Sequence, residues 1–320
     1  MSAMTLLIDR RETRLTLEGN GVVCVRHDDQ PPARVGLHAL QRILVAGDVP
    51  LSSRLLRACA ESGVGLVLLP GRGPREAVHL FPAPATALSL RHAQHCGFAD
   101  PGRRLALARA VVRAKIEQQQ LWLEAQGARA DLHRFRDEAG QASDLNGLLG
   151  VEGAASARYF AAWAGLWQEP WHFPGRNRRP PRDPLNALLS LGYTLALHYV
   201  GRLAAQRGLD LGFGFLHAPR AGRPALALDL LEPVRPWVDQ WVWQLLNSRK
   251  ALAPAHFTLS PAEGCRLDQE GRGLFYAAWH QDEERWLHGP ARRGLAVVLN
   301  ALRPTLAARR GDFGEEGHSS

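Results

Sequence analysis

The sequence predicts an α+β protein, a small N-terminal β-sandwich-like domain followed by a larger, mostly α-helical domain. Three observations carry that expectation. Up to about residue 85, short apolar runs alternate with polar residues between glycine and proline breaks. Phe81-Pro82-Ala83-Pro84 then forms a natural linker. Beyond it the apolar spacing takes the period of a helix.

In the first part, Leu15 and Leu17 alternate with polar neighbours, and Val22, Val23 and Val25 follow Gly19-Asn20. Arg42-Ile43-Leu44-Val45 ends at Gly47-Asp48, and Val64 to Leu69 ends at Pro70-Gly71 and Gly73-Pro74. One helix interrupts these strands, because Leu51 to Cys59 has helical spacing. After Pro101-Gly102, Leu105, Leu107, Ala108, Val111, Val112, Lys115, Ile116 and Leu123 mark a long amphipathic helix. The polar, glycine-rich tail after Arg310, residues 311–320, is expected to be unstructured.

Lys plus Arg number 39 against 31 Asp plus Glu, a net charge of +8. The excess is mostly arginine, which grips phosphate bidentately, so a polyanionic partner is plausible; an arginine-rich genome would give the same bias. Cys24, Cys59, Cys96 and Cys265 are scattered and form no CxxC pair, and no secretory signal precedes them. That usage fits a reducing compartment and a cytoplasmic protein. No apolar run reaches the ~18 residues of a membrane span, so a membrane role has no support.

The chemistry-bearing residues cluster in the second half. A helix opening at Asp144 carries Leu145, Leu148, Leu149, Tyr159, Phe160 and Trp163 on one face, with Glu152 on the same stripe. A buried acid there needs a metal, an arginine or a proton beside it; a solvated helix glutamate is the bland alternative. Phe213 to His217 reads as a short strand, Ala218 to Gly222 as a turn, and Ala225 to Leu231 as a strand or a buried helix start. A hairpin of that kind returns Asp229 and Glu232 toward His217. Taken singly, each of these residues is more readily read as structural. Together they form an oxygen and imidazole set suited to Mg2+ or Mn2+ rather than structural zinc. The rival group, His92, His95 and Cys96, reads as an exposed helix face.

Arg176, Arg178, Arg179 and Arg182 lie on a proline-stiffened loop suited to phosphates. Asp183 and Pro184 read as the N-cap and first turn of the next helix. On that helix Asn186, Ser190 and Tyr193 form a polar stripe continuing from the loop, or simply a packing face. Trp163, Trp167, Trp171, Trp237, Trp241 and Trp243 could stack bases, although helical spacing favours core or dimer packing.

In order and spacing, four segments resemble one family: Gly150-Val151-Glu152-Gly153 with Tyr159-Phe160; NRRPPRDPLNALLSLGYTL from Asn177 to Leu195; Gly214-Phe215-Leu216-His217; and Leu228-Asp229-Leu230-Leu231-Glu232-Pro233 with Arg235-Pro236. That family is the CRISPR-associated spacer integrase, the Cas family-one endonuclease of the adaptation step. The resemblance implies an N-terminal β-domain (residues 1–85) used in dimerisation and a helical nuclease and integrase domain (86–310). It implies a homodimer that joins a small ferredoxin-like partner dimer. Glu152, His217 and Glu232 resemble the ligands of a Mg2+ or Mn2+ ion, with Asp229 in support. Asn186, Ser190 and Tyr193 match the pattern beside the active centre, with Tyr193 facing DNA. The implied reaction is attack of a duplex 3′-hydroxyl on a phosphodiester at the edge of a CRISPR repeat. A DNA-binding scaffold without chemistry and a generic metal-dependent phosphodiesterase are the alternatives.

Overall fold

The computed structural model describes residues 4–10, 12–19, 21–27, 30–46, 48–69, 77–80, 88–177 and 180–308. The Phe81–Pro84 linker, the Pro70-Gly71 and Gly73-Pro74 breaks, Arg178, Arg179 and the tail lie outside the described residues. The chain divides into two compact units, Met1–Pro84 and Ala85–Ser320.

The first unit contains β1 (Met4–Ile8), β2 (Arg14–Glu18), β3 (Val22–His27), β4 (Gln30–Gly36), β5 (Leu40–Val45), α1 (Ser53–Glu61), β6 (Gly65–Leu68) and β7 (Val78–Leu80). A four-stranded sheet has the order β1-β5-β6-β7, and a three-stranded antiparallel sheet the order β2-β3-β4. β1, β5 and β6 run parallel, with Leu6 opposite Ile43 and Leu44 opposite Val67. Parallel neighbours need a crossover, and α1 supplies it between β5 and β6. Ile8, Leu15, Val23, Ile43, Leu55 and Leu66 share one core, so residues from both sheets and α1 face each other. The strand-rich expectation holds, in the form of two sheets over a common core. Pro31 and Pro32 stand in the edge strand β4 where its register with β3 shifts, between the Val25–Ala33 and His27–Gln30 pairs, so neither has a ladder partner.

The second unit is helical: α2 (Leu88–Ala99), α3 (Pro101–Ala125), α4 (His133–Gln141), α5 (Leu145–Ala164), α6 (Pro184–Gln206), α7 (Ala225–Leu231), α8 (Arg235–Trp243), the hairpin of β8 (Phe257–Ser260) and β9 (Gly264–Leu267), α9 (Gln269–Asp282) and α10 (His288–Ala308). The N-caps Asp100, Asp144 and Asp183 each accept an N–H from the first turn of their helix. α3 packs on α4, α5, α10 and the 3-10 turn Glu232–Val234, while α6 packs on α7 and α8. These two helices thus flank the segment bearing Asp229 and Glu232. Trp163, Trp167, Trp171 and Trp241 are buried, which assigns them to packing. No described helix is long and apolar enough to cross a membrane.

Candidate active site

Phe213 to His217 is a loop rather than a strand, and Ala225 to Leu231 is helix, so no hairpin forms. The loop is held instead by side chains. Gln94, fully buried on α2, donates to the carbonyls of Asp210 (2.7 Å) and Phe213 (2.8 Å) and accepts the Asp210 N–H at 2.8 Å. Arg104 Nε donates to the Phe215 carbonyl at 3.0 Å. Asp229, fully buried on α7, then accepts the backbone N–H groups of Phe215, Leu216 (3.0 Å) and His217 (2.9 Å). Its Oδ1 also meets His217 Nδ1 at 2.7 Å. Because a carboxylate can only accept, Nδ1 carries a proton, and in the neutral ring Nε2 is then the nitrogen with the lone pair. Nε2 lies 4.0 Å from Glu232 Oε1.

Gly214 makes this approach possible. A Cβ there would stand 2.6 Å from the Ala225 carbonyl carbon and 2.9 Å from Asp229 Oδ2.

Glu152 reaches the same place from α5. The buried stripe of that helix is Leu148, Ala155, Tyr159 and Trp163, with Glu152 four residues after Leu148. Leu149, expected on the stripe, is exposed. Glu152 Oε1 accepts from Ser156 Oγ (2.8 Å) and from the Lys115 ammonium. Glu232 Oε2 lies 2.7 Å from the same ammonium, as an ion pair without an aligned hydrogen bond. Its Oε1 accepts from Arg235 Nε at 3.1 Å. Burial alone would raise the Glu232 carboxyl, but Arg235, Lys115 and His217 together hold it well below the usual carboxylate range.

Glu152, Glu232, His217 and Asp229, drawn from separate stretches of the chain, therefore lie in one cluster. Among the described residues, no three His, Cys, Asp or Glu groups close into a ready metal cage. Lys115 stands between the two glutamates. His92, His95 and Cys96 form no such group either; His95 pairs with Asp210 at 3.3 Å and Cys96 Sγ is 3.5 Å from His92.

The arginine loop connects to this cluster through the polar stripe of α6. Arg176 Nη1 donates to Asn186 Oδ1 (2.6 Å), Nη2 to Ser190 Oγ (3.2 Å), and its guanidinium sits 5.4 Å from the Tyr193 ring centre. Arg235 covers the same ring at 4.6 Å. Asn186 is fully buried and spends its remaining groups on Asp183, Gly175 and Asn177. Tyr193 is 6% exposed and donates its hydroxyl to Asp239. Neither Asn186 nor Tyr193 presents a polar group outward here: Asn186 accepts from Arg176, and the Tyr193 ring lies against the guanidiniums of both Arg176 and Arg235. Arg182 is exposed and Arg176 and Ser190 are half-buried.

Sequence reasoning passed over Lys115, Arg235 and Asp239 as members of the site. Each carried a signal, a charged residue inside an apolar helical stretch, which is rare without a buried partner.

Two carboxylates and an imidazole thus lie together, with Arg176 linked to them through Tyr193 and Arg235, a grouping of acids and cations common to phosphodiester-cleaving nucleases. Comparison with known families supplies the particular one. The model of the family described as CRISPR associated protein Cas1 matches residues 6–281, and the chain belongs to that family. The CRISPR-associated endonuclease Cas1 3 of Thermus thermophilus is 38% identical over 248 residues, covering 76% of this chain and 73% of that protein. Among solved structures, a Cas1 protein from Thermotoga maritima covers 99% of both chains with a TM-score of 0.82 at 24% identity. A casposase bound to integration product covers 99% of this chain and 96% of its own, with a TM-score of 0.82 at 20% identity. The likeness to the two solved structures is one of fold.

Proposed function

We propose that this chain is a metal-dependent DNA integrase of CRISPR adaptation, in which Glu152, Glu232 and His217 hold a Mg2+ or Mn2+ ion. The observation that supports it most is the convergence of Glu152 Oε1 and Glu232 Oε2 on one positive charge, beside an imidazole whose free nitrogen is Nε2. The donor set fits a hard cation: two carboxylates, one of them a buried acceptor without an aligned donor, and no thiolate. Such an ion stabilises charge at a phosphodiester in transit and activates an attacking oxygen.

The chain's own residues do the rest. Asp229 fixes the His217 tautomer and orientation, as a carboxylate behind a ligating histidine does. Arg235 keeps Glu232 charged and aimed. Arg176 and Arg182, with Arg178 and Arg179 of the same loop, position the DNA backbone without reading sequence. The incoming 3′-oxygen forms a bond to phosphorus as the repeat's own 3′-oxygen leaves, and the proton passes from one to the other with no covalent enzyme intermediate. In this reading the protein works in the cytoplasm as a homodimer through its β-rich unit, together with a small ferredoxin-like partner dimer.

Purified protein with Mn2+, a labelled duplex with free 3′ ends and a supercoiled plasmid separates the readings. Covalent joining supports the integrase, cutting alone a general phosphodiesterase, and neither a silent scaffold. Glu152→Ala and His217→Ala should each abolish joining and leave duplex binding within about twofold, because neither group is assigned to the backbone grip. Normal strand-transfer products from either variant overturn the assignment.

A further inference from the structure

We infer that Lys115 is the internal counter-ion of this site: its ammonium ties Glu152 to Glu232 while no divalent ion is bound, and it gives way when one binds. The inference rests on the metal reading above. Lys115 projects from the buried stripe of α3, with its side chain 5% exposed, and contacts both carboxylates. Without that ammonium, two acids would face each other among largely buried groups, an arrangement that mutual repulsion and burial both disfavour.

The same contacts are incompatible with an ion shared by the same two oxygens. A divalent cation within bonding range of Glu152 Oε1 and Glu232 Oε2 would stand only a few ångströms from the ammonium, and like charges that close repel, the more so because the Lys115 and Glu232 side chains are buried. The lysine side chain can withdraw, because it is a point charge on a flexible four-carbon stem rather than a fixed fork. One turn along α3, Gln119 is 1% exposed and its Oε1 has no donor, so the i, i+4 spacing offers the displaced ammonium an acceptor. Ion binding here is therefore an exchange of one cation for another, which weakens apparent affinity while keeping the ligands gathered beforehand.

Manganese affinity, read by calorimetry and by the loss of the free-ion paramagnetic signal, and melting temperature with and without manganese test this in the full-length protein. Lys115→Met should melt several degrees lower than wild type without metal. It should bind Mn2+ about tenfold more tightly or better and gain more melting temperature from the ion, because no ion pair has to be broken. If the variant does not fold alone, manganese in the refolding buffer should rescue it, and failure of that rescue counts against the inference. Lys115→Met with Glu152→Gln, which removes the ammonium and one of the two acids while leaving the Glu232–Arg235 pair in place, should recover most of the lost melting temperature without metal. Unchanged or weaker Mn2+ binding by Lys115→Met, with normal binding by wild type, overturns the counter-ion role and leaves the metal site standing. Absence of Mn2+ binding by wild type overturns both.

Discussion

Two tyrosine hydroxyls, Tyr159 on α5 and Tyr193 on α6, donate to one carboxylate, Asp239 on α8, which is 1% exposed. Burial pushes Asp239 up to about 6, against the pull of the two tyrosine hydrogen bonds and the Arg176 and Arg235 guanidiniums. Between the ordinary carboxylate value and about 6, the folded chain therefore holds a proton that the unfolded chain has released. Stability falls as pH rises through that window, by at most about 1.4 kcal/mol per unit from this group. Asp239→Asn has no proton to lose. Its melting temperature relative to wild type should improve between about pH 4.5 and about pH 7.5, and a pH-independent difference would refute the buried charge. The comparison cancels Glu232, whose depressed value acts below that window in both proteins. Asp239 was hidden in the sequence because its donors come from helices some 46 and 80 residues away, and no local pattern announces such a meeting.

At the scale of elements, the loop from Phe213 to His217 is built by side chains that reach it from α2, α3 and α7, so its weakest point is where it presses on α7. Gly214→Ala would force a Cβ into the Ala225 backbone, which cannot yield as a flexible side chain could. A loss of about 1–3 kcal/mol by thermal melting is expected, with a larger loss of strand transfer because His217 and Asp229 move apart. Gly150→Ala on α5 is the control: nothing lies within 4 Å of its Cβ, so helix propensity should stabilise the protein by up to about 1 kcal/mol. Helices with strong caps were legible, as Asp100-Pro101, Asp144 and Asp183-Pro184 each sit before a long apolar period. The loop was not, because Phe213 and Phe215 alternate as strand residues do, while the groups that satisfy its backbone are Gln94, Arg104 and Asp229. Ala225 to Leu231 is too short for periodicity to separate helix from strand. β4 was missed because Pro31 and Pro32 argue against any strand except an edge.

For the whole molecule, a net charge of +8 allows two accounts of DNA binding: a diffuse field over the surface, or a grip concentrated in the arginine loop. They differ in how affinity responds to salt, since each phosphate neutralised in contact releases counter-ions and contributes about 0.9 to the slope of log affinity against log salt. Diffuse attraction depends on total charge. Arg178→Ala with Arg179→Ala and Arg54→Ala with Arg57→Ala each lower the net charge equally, but the second pair lies exposed on α1 of the β-rich unit. A loop grip predicts that the first pair flattens the slope by about two and weakens binding to all duplex sequences alike, whereas the second changes the slope little. Equal effects from the two pairs would assign binding to the overall field and remove the loop from the DNA path. The anchoring of Arg176 by Asn186, Ser190 and Tyr193 favours the grip, because a guanidinium already fixed in place loses little entropy on meeting phosphate.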